Sequence, residues 1–242
     1  MPIFRKRKIT TGVATVCKNK KKDSWTMNGD INRFYESKQL VNSIFKEKDL
    51  FSKEKVNNIM FLGPGKGEDL HNWKKTFKNN KYKTSFDVLG LENTITESVK
   101  KDIVNRDFSI GRPVEHIDPT RDSRDKRLFD HLNNKYSLVV SQFGVSYHTK
   151  HPSYNLFASS LLLKKEGVLY SSINSSYIHL KAGIIKYNRV NSKIHSKELD
   201  KLEKHFHKFV EIYNKQKKTN LKFEFDIRDI DNLFYVRIKR IN

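Results

Sequence analysis

Cysteine is almost missing from this chain: Cys17 is the only one, so no internal disulfide framework can form, and the usage fits a reducing compartment. Long apolar runs are missing as well. None approaches the roughly 18 residues of a membrane span, and the basic N-terminus lacks the apolar segment of a secretion signal. The expectation is an intracellular protein, cytoplasmic rather than nuclear. Acid is in short supply, with 27 Asp and Glu against 48 Lys and Arg, which leaves a net charge of +21 and a pI near 9.8. A field of that sign attracts polyanions, nucleic acid first among them. The alternative is a Lys/Asn-rich coding bias that spreads lysine over every surface. The apolar share of 36% is low, but 16 Phe and 10 Tyr point to an aromatic-rich core. A length of 242 residues suits one α/β domain better than two.

Residues 1–27 carry Arg5, Lys6, Arg7, Lys8, Lys18, Lys20, Lys21 and Lys22 with no acid before Asp23. They read as a basic arm for phosphates or as a solvated tail, ahead of a single domain over 28–242. From Asp30 to Lys48, Phe34, Val41, Ile44 and Phe45 share one helical face. Strands are predicted at 58–62, 83–87, 136–143 and 167–173. Helices are predicted through Trp73 and Phe77, over 95–104 and over 156–163. The polar stretch 107–130 reads as a site-proximal loop with a short strand at 114–117. Beyond Ser196, the spacing of Leu199, Leu202, Phe206, Phe209 and Tyr213 makes a core-facing helical stripe. Two last strands, 221–227 and 233–241, can pair as an antiparallel edge. Alternating strands and helices predict an α/β, Rossmann-like, doubly wound and mainly parallel sheet with its ligand at the strand C-terminal ends.

The first predicted strand breaks into Gly63-Pro64-Gly65-Lys66-Gly67 and then reads as helix. Glycine lets a backbone turn sharply there while leaving room for a nucleotide-like ligand. The run is not a P-loop, which needs a Gly-Lys-Ser/Thr, and it lacks the third glycine of the dinucleotide spacing. Roughly 20 residues past Gly65 the second strand-like run ends at Asp87, the spacing at which a βαβ unit places a ribose-binding acid.

Two segments carry a family resemblance: Phe61-Leu62-Gly63-Pro64-Gly65-Lys66-Gly67-Glu68-Asp69-Leu70-His71-Asn72-Trp73 and Ser141-Gln142-Phe143-Gly144-Val145-Ser146-Tyr147. Together they resemble the mRNA cap guanine-N7 methyltransferases, which carry Gly-x-Gly-Lys-Gly-Gly-Asp-Leu-x-x-Trp and, later, Ser-x-Gln-Phe-x-x-His-Tyr. Gly167-Val168-Leu169-Tyr170-Ser171-Ser172-Ile173-Asn174-Ser175 is similar to a third family strand, and the 30–45 helix resembles the one before its first strand. The resemblance covers about residues 30–180 and implies the class I methyltransferase fold with S-adenosylmethionine as cofactor.

By that resemblance Gly63, Gly65 and Gly67 line the cofactor, and Lys66 and Asp69 flank its amino-acid end. Asp87 corresponds to the ribose-binding acid, with Glu92 the competing candidate if the strand runs longer. Asp118 falls on the adenine side, Gln142 closes the pocket, and Lys38 resembles the lysine that reaches the cofactor carboxylate. Tyr147 faces the cap guanine, with Ser146 where the family has His, and His148 two places on. Phe61 replaces the family's acid in the first strand, and Glu68 replaces a glycine, which crowds the turn. The implied partners are the capped 5′ end of RNA and a triphosphatase/guanylyltransferase.

Guanine N7 offers an unprotonated lone pair, so methyl transfer to it needs alignment rather than a general base, and no catalytic side chain is expected. Metal binding by His205, His207, His148 or His151 is not expected, because no Cys or acid stands at ligand spacing. No Gly-x-Ser-x-Gly elbow supports Ser/His/Asp hydrolysis. Two further readings stay open. In one, a degenerate methyltransferase fold binds RNA or a partner without catalysis; in the other, the enzyme acts on a different acceptor.

Overall fold

The computed structural model describes residues 30–47, 50–111, 123–142, 151–172, 192–230 and 233–242. In chain order the elements are α1 (Asp30–Phe45), β1 (Asn57–Leu62), α2 (Leu70–Asn79), β2 (Thr84–Leu89), α3 (Glu97–Asp102), β3 (Arg106–Asp107), α4 (Ser123–Leu132), β4 (Tyr136–Ser141), α5 (Pro152–Ser160), β5 (Leu163–Ser172), α6 (Ser192–Lys217), β6 (Phe223–Ile230) and β7 (Leu233–Arg240). The strands form one sheet in the order β3-β2-β1-β4-β5-β7-β6. Pairing is parallel from β3 to β5 and antiparallel where β7 meets β5 and β6. The chain order reverses between β1 and β4, which makes their C-terminal ends the switch point of the sheet.

Each strand of the centre is buried on both faces, so it reads as a continuous apolar run rather than an alternation. On one face Met60, Leu62, Val139 and Leu169 pack with Leu156 and Phe157 of α5 and with Leu202, Phe206 and Val210 of α6. The predicted α6 stripe is all present here, with Leu199, Phe209 and Tyr213 partly buried against the same cluster. On the other face Ile59, Phe61, Val88 and Val140 meet Leu40, Val41 and Ile44 of α1 and Leu70, Trp73 and Phe77 of α2. Aromatic rings dominate that side: Phe61 sits edge-on to Trp73 at 5.2 Å between centroids and to Phe86 at 5.6 Å.

Three sequence expectations change. The second strand continues two residues past Asp87, to Leu89. The stretch 107–130 is not all loop, since β3 reaches into it and α4 fills its end, burying Asp125, Phe129 and Leu132. The fifth strand begins at Leu163, the last residue the sequence assigns to helix and four residues before Gly167. The basic arm, the 114–117 strand, Asp118, Ser146, Tyr147 and His148 lie outside the described residues.

Glu47, just past α1, is clamped to the sheet. Arg237 of β7 donates Nε to its Oε1 at 2.7 Å and Nη2 to its Oε2 at 2.6 Å, and the Tyr170 hydroxyl of β5 also donates to Oε1. Burial alone would raise the Glu47 carboxyl, but the hydrogen bonds from Arg237 and Tyr170 outweigh it and hold the group below its ordinary value of 4.5. A depressed folded-state pKa stabilises the fold above the ordinary value and loses that contribution as pH falls through the folded one. Glu47→Gln is therefore expected to be less stable than the parent chain at neutral pH. Denaturant unfolding followed downward from neutral pH should show the gap narrow below 4.5.

Candidate functional site at the carboxyl ends of β1, β2 and β4

The glycine loop leaves β1 with backbone geometry that side chains disfavour: φ is 60° at Gly65 and 76° at Gly67. The two glycines serve different ends. A Cβ on Gly67 would lie 3.0 Å from Val99 Cγ1, so this residue lets the loop close against α3. A Cβ on Gly65 would meet nothing within 4 Å, so this residue borders open space. The loop is tied down on both sides, by Gly63 N–H donating to Leu89 O at 2.8 Å and Thr96 N–H donating to Lys66 O at 3.2 Å. Glu68 is exposed, its backbone is not among the positive-φ positions, and the crowding expected there does not occur. Asp69 is the residue before α2, whose N-terminus faces back along the loop.

The sheet places Asp87 elsewhere than the sequence does. It is fully buried, three residues from the start of β2 and two from its end. Arg106 Nε donates to its Oδ1 at 3.1 Å, Arg106 Nη2 to its Oδ2 at 2.6 Å, and the Tyr136 hydroxyl to its Oδ2 at 2.8 Å. The hydrogen bond to Asp87 raises the Arg106 guanidinium, and burial followed by the Asp87 charge drives the Tyr136 phenol well up. Both oxygens of Asp87 are thus engaged in joining β2, β3 and β4. The acid at the strand end is Glu92. A single bridge from Leu91 to Ile110 carries the parallel pairing past Leu89, and Glu92 N–H donates to Ile110 O at 2.8 Å. Asn93 then turns the chain with φ 63°, leaving the Glu92 side chain exposed and leaning towards Gly111. This segment lies against the glycine loop, since a Cβ on Gly90 would be 3.5 Å from Pro64 Cδ.

Gln142 directly follows β4. Its Nε2 donates to the Tyr235 hydroxyl at 3.2 Å, while its Oε1 is buried without a hydrogen-bond partner. The hydroxyls of Ser109, Ser141 and Ser171 are buried and unpaired too. Among the described residues five buried side-chain polar atoms lack a partner, and these four stand at C-terminal strand ends. Such atoms are costly unless a ligand or water meets them. Sequence reasoning missed the three serines; for Ser141 and Ser171 the available signal was a hydroxyl at the end of an otherwise apolar run. Lys38 is exposed on α1.

A seven-stranded sheet of this order, with its last strand inserted antiparallel between the fifth and sixth, decides the architecture. The fold is that of the class I methyltransferases. Among solved structures, a candidate hemolysin from Streptococcus thermophilus superposes with a TM-score of 0.52 at 12% identity, over 91% of this chain and 69% of that one. A candidate S-adenosyl-L-methionine-dependent methyltransferase from Methanococcus maripaludis matches 92% of this chain and 97% of its own, at 14% identity and a TM-score of 0.47. A chain from the complex of the Haloferax volcanii Trm112 methyltransferase activator with a candidate methyltransferase matches 88% and 92%, at 11% identity and a TM-score of 0.49. No protein-family model and no curated protein matches the sequence. In open α/β sheets ligands bind outside the carboxyl ends of the strands, at the switch point. The residues present suit S-adenosylmethionine: a glycine loop open at Gly65, an exposed acid after β2, and unpaired polar atoms at the C-terminal ends of β4 and β5.

Proposed function

We propose that the chain binds S-adenosylmethionine at these strand ends and methylates N7 of the guanine cap of RNA. The observation that carries the cofactor reading is the meeting, at the β1/β4 reversal, of a loop open at Gly65 with the buried, unpaired Oε1 of Gln142. The cap reading rests on the order of the two motifs around Gly63 and Gln142 and on the charge of +21. The cofactor supplies an electrophilic methyl on sulfur. The chain's own task is to seat it, with Gly63, Gly65 and Gly67 against the methionine portion, Lys66 and Asp69 flanking it, and Glu92 accepting from the ribose hydroxyls in place of Asp87. Lys38, Asp118, Ser146, Tyr147 and His148 keep their proposed roles towards cofactor and guanine. Alignment suffices for transfer to N7, whose lone pair is already free.

Incubation with labelled S-adenosylmethionine and RNA carrying a GpppA or GpppG end tests this. Label on N7 is the expected result; label on another atom, or none, refutes the cap assignment. Glu92→Ala is expected to weaken S-adenosylhomocysteine binding by about 1.5–3 kcal/mol, the range for a hydrogen bond to a charged group. Its exposed position should leave the melting temperature unchanged. Calorimetry and thermal denaturation read the two effects separately.

Phe61 favours a second reading. It occupies the place of the family's acid, is buried, and packs into the aromatic cluster with Trp73 and Phe86. A methyltransferase fold without that carboxylate is suited to hold RNA or a partner protein without catalysis. Calorimetry with S-adenosylhomocysteine separates the two: micromolar binding supports the enzyme, and no heat at millimolar ligand supports the binding subunit.

A further inference from the structure

The edge of the sheet opposite the candidate cofactor site carries a row of lysines. The parallel strands β2, β1, β4 and β5 are neighbours, and each has a lysine at its N-terminal end: Lys83, Lys55, Lys135 and Lys164. Register holds them at one level. Asn57 N–H donates to Lys83 O at 2.9 Å, Asn58 Nδ2 to Lys135 O at 3.3 Å, and Lys135 N–H to Leu162 O at 3.1 Å. On β5 the pairing jumps from Tyr136↔Leu163 to Leu138↔Val168, so residues 164–166 bulge out of the sheet. Gly167 fixes that bulge, because a Cβ there would lie 2.6 Å from Tyr136 O. Glu166 at the bulge is neutralised by Lys239 at 2.7 Å. None of the four lysines has an acidic partner among the described residues. Lys164 is lowered, by burial first and by the Lys55 charge second, as expected of cations crowded together without anions.

We propose that this row is a docking track for a nucleic-acid phosphate backbone, separate from the strand ends that face the cofactor. At about 4.8 Å per strand, four strands set the lysines along a line of about 14 Å, suited to successive phosphates. The row lies about 20 Å from the glycine loop, the length of a six-residue strand. A nucleic acid held here is thus gripped at a distance from the cofactor site rather than through it. An anionic membrane is a poorer fit: among the described residues Val56 is the only exposed large apolar side chain beside the row, whereas membrane-surface binding draws on several.

The track is independent of methylation, so its test needs no cofactor. Fluorescence anisotropy of the full chain with an uncapped single-stranded RNA of roughly 20 nucleotides is measured across a salt series. A variant with Lys55, Lys83, Lys135 and Lys164 all changed to Gln is expected to bind weaker, with the slope of log K against log salt smaller by about 3, from about 0.7 per phosphate contact. A control carrying the same charge change on α6, at Lys204, Lys208, Lys215 and Lys217, should keep most of the slope. Equal losses in both variants would reduce the row to solvated surface charge and overturn the proposal. So would tighter capture of the parent chain by phosphatidylserine vesicles than by RNA, abolished in the row variant. If the fourfold variant does not fold, the pair Lys55→Gln and Lys164→Gln is read the same way, with an expected slope change of about 1.4.

Discussion

Arg106→Ala is expected to lower the unfolding free energy by about 3–5 kcal/mol, the cost of stranding a charge inside a protein. The effect is larger than that expected from deleting the acid it pairs with. The Asp87 side chain has 0% exposure and Arg106 has 44%, so the carboxylate is the member that cannot reach water. Without Arg106 it keeps one hydrogen bond, from Tyr136. Asp87→Ala removes the buried charge itself, lets Arg106 turn to solvent, and leaves the Tyr136 hydroxyl unpaired, for about 1–3 kcal/mol. Urea unfolding of both single variants and the double variant checks the order. The double variant should recover part of the Arg106→Ala loss, because the stranded carboxylate is then gone. An Asp87→Ala loss exceeding that of Arg106→Ala would contradict the assignment of Asp87 as the buried centre.

Gly65→Val is expected to abolish S-adenosylhomocysteine binding, with a loss of at least 100-fold, or about 2.7 kcal/mol. The open space beside Gly65 is where a ligand would have to pass, and a branched side chain would fill it. The φ of 60° adds backbone strain of about 1–3 kcal/mol, so melting temperature must be read in parallel. Gly67→Ala is the matched comparison. Its methyl would press on Val99 at 3.0 Å, so it should chiefly cost stability, with a smaller loss of binding than Gly65→Val shows. Calorimetry on both variants separates obstruction from strain. Normal binding by folded Gly65→Val would place the cofactor away from this loop.

The sheet was legible because burial on both faces writes central strands as unbroken apolar runs, as in Tyr136–Ser141. The glycine loop was legible because few other residues take up its backbone geometry. The end of β2 was not. Asp87 looks from the sequence like an acid closing a strand, because a charge inside a buried run is an improbable reading. Its partner Arg106 stands 19 residues on, in a two-residue strand with no sequence signature of its own. The helix α4 was hidden for a related reason: only Leu128, Phe129 and Leu132 interrupt its charged residues, too few to show a period. The unpaired serines belong to a third kind of case, since a hydroxyl acquires meaning only from what surrounds it.

The Glu47 clamp also constrains the order of assembly. Its carboxylate and the Arg237 guanidinium are separated by 190 residues, and Arg237 belongs to the strand that slots between β5 and β6. A nascent chain leaving the ribosome therefore carries α1 and Glu47 long before their counterpart exists. The helix can rest on β1 early through Leu40, Val41 and Ile44, but its final anchorage waits for β7. A contact of that range commits the chain to a slow, late closing step. Translation arrested before Arg237 would leave the end of the first helix without its ion pair to the sheet.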